Sequence, residues 1–192
     1  MTADLSRLLN ALGLVAVDTV LVLAFADQLW FRDLPCPICI LQRAGFIAAG
    51  FGIALNLIFG PRPSHYGVAI LGAVVGGIMS ADQVLHYVVP GSGSYGNAIF
   101  GLHLYSWALI MFVAIVVGCG VMLLFDRQYE PSGPPPLRQV TLPILAVALL
   151  ALLAVGNVLS TLAICGVGLC PEAPGGYLIF HENLGLAQGN AP

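Results

Sequence analysis

Lysine is absent from these 192 residues, and six arginines supply all of the permanent positive charge. Charged residues of both signs make up only 8% of the chain, against about 25% in a soluble domain. So few charges cannot cover a water-facing surface. The lack of clustered positive charge also excludes nucleic-acid binding, which depends on displacing counterions from phosphates. What fills the chain instead is apolar: 59% of residues are hydrophobic and the mean hydropathy is +0.96. The apolar runs are long and lack the strict alternation of a barrel strand, so the fold class is all-α and membrane-integral.

A spanning helix needs roughly 20 mostly apolar residues. Five segments qualify: 8–31, 38–59, 66–89, 102–125 and 141–164. In the first, Ala24-Phe25-Ala26 has the look of a signal-peptide cleavage site. The run is too long for that, carries Asp18 and leads directly into a cysteine pair, so it reads as an uncleaved helix. Residues 127–140 contain the proline-rich stretch Pro131-Ser132-Gly133-Pro134-Pro135-Pro136 and read as an extended linker. The expected organisation is a four-helix bundle over 1–126, a cytoplasmic linker over 127–140, and a fifth membrane helix with a cysteine-bearing tail over 141–192. The Gly/Ser-rich loop 90–101 reads as a mobile connection. Its Gly91-Ser92-Gly93-Ser94-Tyr95-Gly96 matches a dinucleotide fingerprint, but that pattern binds nucleotides only between a strand and a helix.

Arginine placement sets the expected orientation. Arg7, Arg62, Arg127 and Arg138 fall on one side, and Arg32 and Arg43 towards the other. This predicts a cytoplasmic N-terminus and, after five crossings, an external C-terminus. Cys36 and Cys39, at the start of the second helix, and Cys165 and Cys170, after the fifth, then face the same oxidising compartment. Cys119 lies away from both, in the fourth helix, as a small core residue.

The stretch Leu34-Pro35-Cys36-Pro37-Ile38-Cys39-Ile40-Leu41-Gln42-Arg43 holds the chemistry. A C-x-x-C pair can close and reopen a small disulfide ring, and its reactivity depends on a stabilised thiolate. Arg43 lies one helical turn beyond Cys39 and places a fixed positive charge beside it. The flanking prolines keep Cys36 out of a regular helix, and it is expected to be the exposed sulfur. A charge inside a membrane segment is costly and usually functional, and Arg43 suits a carbonyl or oxyanion such as a quinone head group. Asp27 and Gln28, Asp82, Gln83 and His86, and His103 lie at comparable depth and can form one polar layer. Asp27 or Asp82 is a candidate partner for Arg43, and His86 a candidate proton donor to a reduced quinone. Asp18 sits mid-helix, protonated or paired, with no role assigned. Trp30, Tyr105 and Trp107 read as interfacial aromatics.

The second pair, Cys165-Gly166-Val167-Gly168-Leu169-Cys170, has two glycines that let a six-residue ring close. It reads either as a shuttle disulfide feeding Cys36–Cys39 or as a structural cap of helix five.

Pro35-Cys36-Pro37-Ile38-Cys39-Ile40-Leu41-Gln42-Arg43 after a first membrane helix, with Gly101-Leu102-His103-Leu104-Tyr105-Ser106-Trp107 leading into helix four, resembles the disulfide bond formation protein B (DsbB-like) family. The resemblance covers helices one to four. It implies a bacterial inner-membrane thiol:quinone oxidoreductase that reoxidises a periplasmic thioredoxin-like (DsbA-like) partner and passes electrons to ubiquinone or menaquinone in the quinone pool, supporting disulfide formation and protein folding. By that resemblance Cys36 exchanges disulfides, Cys39 contacts the quinone, and Arg43 sits at the quinone with Asp82 and His86 nearby. Well-known members carry their second cysteine pair between helices three and four. Here that loop has none, and Cys165/Cys170 after an added fifth helix resembles a variant branch. No resident metal is expected.

Two other readings use the same residues. The four outer cysteines could serve as thiolate ligands of a membrane metal-binding or ion-handling protein. A haem-bearing quinone subunit would need facing histidines deep in helices, whereas His65, His86 and His103 lie near helix ends.

Overall fold

The computed structural model describes all residues except 90, 92, 97, 131–139, 169, 171–175 and 179–192. Five helices are long and apolar enough to cross a membrane: α1 (Ala3–Trp30), α2 (Pro37–Phe59), α3 (Pro63–Tyr87), α4 (Leu104–Leu123) and α5 (Thr141–Cys165). The protein is thus an all-α integral membrane protein. Most of the proline-rich linker and of the cysteine-bearing tail lies outside the described residues.

Local chemistry sets where the helices begin. Thr2 caps α1 by accepting from Leu5 N at 3.3 Å, which carries the helix start ahead of its apolar stretch. Pro37 and Pro63 occupy first-turn positions in α2 and α3, where a missing N–H costs nothing. Cys36 is the extended residue before α2, and its Sγ accepts from Cys39 N at 3.1 Å.

Lipid is as apolar as leucine, so helices associate there through close packing and buried polar bonds rather than through hydrophobic exclusion. Large outward side chains such as Leu71, Ile78, Val117 and Leu152 remain exposed. Helix α2 is the centre of the bundle, and α3 approaches it backbone to backbone. A Cβ on Gly45 would lie 2.7 Å from Gly76 Cα, and one on Gly72 would lie 2.6 Å from Ala49 N. Phe112 of α4 covers Gly76 and stacks on Phe46 at 3.9 Å.

Helix α5 is no loose addition. Ala146, Leu150 and Leu153 belong to the same core as Leu14, Val17 and Leu21 of α1 and Phe46, Ala49 and Ile53 of α2. Leu150 reaches to 2.9 Å of where a Gly50 Cβ would stand, and Gly156 lies under the Phe25 ring.

At the end away from the cysteines, a buried polar network ties four elements together. Asn10 Nδ2 donates to Tyr66 OH at 2.7 Å, and Asn56 Nδ2 donates to Asn10 Oδ1 at 3.1 Å. Ser6 Oγ and Tyr66 OH both donate to Gln128 Oε1, at 2.8 and 3.0 Å. Gln128 sits in a 3-10 turn, Asp126–Tyr129, so the expected linker begins as an anchored turn.

The last part of the loop before α4 is a hairpin. Strands β1 (Ala98–Ile99) and β2 (Leu102–His103) pair antiparallel around Phe100-Gly101. Both turn residues have positive φ, 51° and 80°, as a two-residue hairpin turn of the primed type requires. Trp107 Nε1 donates to Ile99 O at 3.0 Å and fastens the hairpin to α4.

Candidate thiol and quinone site

Both outer cysteine pairs are disulfides, Cys36–Cys39 with Cα atoms 5.0 Å apart and Cys165–Cys170 with Cα atoms 4.6 Å apart. They lie at the same end of the bundle. Cys165 and Ile164 pack on Ile40, the residue after Cys39, with Leu34, Cys170 and Tyr177 around them. Cys119 is a free, buried thiol in α4.

Cys36 differs from the exposed sulfur expected. Cys36 is only 6% exposed, because its sulfur turns inward to cap α2. Cys39 is half-buried and lines a cavity of about 370 Å³ between α1, α2, α4 and the hairpin. That volume is in the range of small-molecule sites, about 300–1,000 Å³. The walls are largely apolar, with Leu21, Phe46, Ile99, Tyr105 and Met111 among them, and Asp27, Gln42, Arg43 and Tyr95 are polar groups on them. Tyr105, in the first turn of α4, is buried in this wall.

Arg43 opens onto the same cavity and is 7% exposed, so it does not snorkel to the membrane surface. Its Nη1 donates to Gln28 Oε1 at 2.6 Å and its Nη2 to Ala24 O at 2.7 Å. The guanidinium also lies over the Phe25 ring, 4.8 Å from the centroid. Asp27 lines the cavity and acts on Arg43 electrostatically.

Of the three polar residues expected on α3, one faces inward. Asp82 and His86 are exposed and do not line the cavity. Gln83, 2% exposed, faces inward instead. Its Nε2 lies 3.6 Å from Cys36 Sγ and 3.9 Å from Cys39 Sγ, and its Oε1 accepts from Gln42 Nε2 at 2.8 Å. Nor does His103 line the cavity; its ring stacks on Tyr105. Asp18 is 2% exposed, and neither carboxyl oxygen has a hydrogen-bond partner among the described residues.

Two contacts escaped the sequence reading. Tyr95 OH donates to Leu34 O at 2.5 Å, which ties the loop before α4 to the segment leading into Cys36. Burial, with Asp33 nearby, pushes the Tyr95 phenol above its ordinary range and keeps it a donor. Tyr177 OH accepts from Gln28 Nε2 at 3.1 Å and brings the tail to the residue that holds Arg43. Among the described residues, no three His, Cys, Asp or Glu side chains gather as a metal site would need.

Residues 6–91 match the family described as disulfide bond formation protein DsbB. Over these residues the chain is similar to that family. It is 28% identical over 163 residues to disulfide bond formation protein B of Marinobacter nauticus, covering 66% of this chain and 95% of that protein. It is likewise 28% identical over 143 residues to disulfide bond formation protein B of Xanthomonas euvesicatoria, covering 55% of this chain and 83% of that one. No solved structure matches. The five apolar helices and these similarities support a multi-pass membrane protein related to those of disulfide bond formation. The family match ends before α4 and α5, and the second cysteine pair lies beyond it.

Proposed function

We propose that this chain is a thiol:quinone oxidoreductase of the bacterial inner membrane, with both disulfides facing the periplasm. It oxidises a thioredoxin-like (DsbA-like) dithiol and delivers the electrons to ubiquinone or menaquinone. The observation that carries this reading is that Cys39 and Arg43 share one apolar cavity. The cavity fits a quinone: it has apolar walls for ring and tail, a sulfur on one side, and a guanidinium with more N–H donors than its two internal bonds use. A bound quinone supplies a two-electron, two-proton acceptor.

The protein's own residues account for the thiol steps. A thiolate of the reduced partner attacks the Cys165–Cys170 bond. One sulfur joins the partner in a mixed disulfide and the other leaves as thiolate. The partner's second thiol then attacks its own half of that bond and leaves oxidised, with Cys165 and Cys170 as a dithiol. That dithiol reduces Cys36–Cys39 by the same exchange. Cys39, on the cavity wall, is then the thiolate facing the acceptor, and Cys36 recloses the ring as two electrons depart. Gln83 donates towards both sulfurs, and Arg43 holds positive charge where negative charge develops. In this reading residues 1–126 are the catalytic bundle, 127–140 the cytoplasmic linker, and 141–192 carry the shuttle pair.

Cys39→Ser in membranes, assayed for quinone reduction with a reduced thioredoxin-like substrate, tests the proposal. Loss of turnover is expected; undiminished turnover overturns the mechanism.

A further inference from the structure

Gln28 is 3% exposed, and its whole amide is engaged. The oxygen accepts from Arg43 Nη1 at 2.6 Å. The nitrogen donates to Ser160 Oγ at 2.8 Å and to Tyr177 OH at 3.1 Å. An amide nitrogen carries two hydrogens, and here both go to groups from α5 and the segment after it. Arg43 fixes which way the amide faces, since a flipped amide would set donor against donor. Ser160 and Tyr177 fix where it sits.

A second contact leads to the same helix. Phe25, whose ring lies beneath the guanidinium, rests on α5: a Cβ on Gly156 would stand 3.5 Å from Phe25 Cζ. Two of the groups that locate Arg43 are therefore themselves located by α5. In an apolar surround a guanidinium goes where its hydrogen bonds are satisfied, so the residues behind its partners decide its position.

We propose that Ser160 and Tyr177 are positioning residues for Arg43, and that α5 holds the guanidinium at the cavity through Gln28 and Phe25. This rests on the reading that Arg43 faces the quinone. It gives the fifth helix a function apart from carrying the second cysteine pair.

The test uses the full-length protein with a short-chain ubiquinone or menaquinone analogue. Binding is read from quenching of tryptophan fluorescence, since Trp107 lines the cavity. Ser160→Ala combined with Tyr177→Phe removes both hydroxyls and little else. The expected result is about tenfold weaker analogue binding, the scale of a lost bond to a charged group. The quinone KM should rise by a similar factor, the KM for the dithiol substrate should stay unchanged, and both disulfides should still form. Ser160→Thr, which keeps a hydroxyl, should bind like wild type. If the double variant does not accumulate as folded protein, each single variant should still weaken binding about threefold. Equal binding by wild type and variants overturns the positioning role alone. A wild-type chain that neither binds nor reduces the analogue overturns the quinone reading beneath it.

Discussion

Gln83 Nε2 lies 3.6 Å from Cys36 Sγ, and the Cys39 backbone N–H donates to the same sulfur at 3.1 Å. Gln42 Nε2 holds the other end of the Gln83 amide at 2.8 Å, so the Gln83 nitrogen, not its oxygen, faces the sulfurs. A donor so placed favours the thiolate over the thiol and thereby the reduced form of the pair. Gln83→Leu should remove about 1 kcal/mol of that preference. The Cys36–Cys39 potential should then fall by about 20 mV, and alkylation of the reduced pair at neutral pH should slow about fivefold. Redox titration against a glutathione or dithiothreitol series, with mass mapping of the pair, measures both. An unchanged potential would show that Gln83 only packs there.

Cys165 packs against Ile40, which places the second disulfide beside the first rather than across the bundle from it. A shuttle role requires that closeness. Replacing Cys165 and Cys170 together by Ser should lower turnover of the protein dithiol by about a hundredfold or more, while small thiols still slowly reduce Cys36–Cys39. Turnover of the partner at the wild-type rate would make the pair a structural cap.

Much of this was legible in the chain. The C-x-x-C pair, Arg43 one turn on, and the common side of the two cysteine pairs follow from spacing and crossing number. Gln83 belongs to the polar layer legible in the chain beside Asp82 and His86, but depth alone does not tell which of the three faces inward. The small-residue stripe Ala69, Gly72, Ala73, Gly76 and Ser80 marks the packed face of α3, and continuing it reaches Gln83. Tyr177 was beyond pattern reading: it lies in a Pro/Gly-rich tail with no period, and only the fold brings it to Gln28. The burial of Cys36 was hidden for a similar reason. Flanking prolines exclude a regular helix, but they do not tell that the sulfur turns back to cap one.

Tyr66 is 1% exposed at the end opposite the cysteines, and its hydroxyl accepts from Asn10 and donates to Gln128. Tyr66→Phe keeps the ring and removes one hydrogen bond from each partner, leaving Gln128 Oε1 with Ser6 Oγ and Asn10 Nδ2 with Ser6 O. It should cost about 2 kcal/mol and lower the thermal midpoint by several degrees. Quinone KM should not move, since the network touches neither disulfide nor Arg43. A shift in quinone KM without loss of stability would contradict that separation of roles.

The same substitution should have opposite signs at two glycines of α3. A Cβ on Gly72 would meet the backbone of Ala49 at 2.6 Å and of Ala48 at 2.8 Å, and backbone cannot swing aside as a side-chain tip can. Gly72→Ala must therefore push α3 off α2, at a cost of about 1–3 kcal/mol. Gly67 has no atom within 4 Å of its Cβ position, so Gly67→Ala should only remove unfolded-state freedom and stabilise by about 0.5–1 kcal/mol. Because α2 also carries Cys39 and Arg43, the displaced helix should bind the quinone analogue less tightly in Gly72→Ala and normally in Gly67→Ala. Thermal midpoints and analogue affinities of the two variants, measured side by side in the same detergent, decide it. If both variants lose stability equally, close α2–α3 contact is not what fixes the cavity.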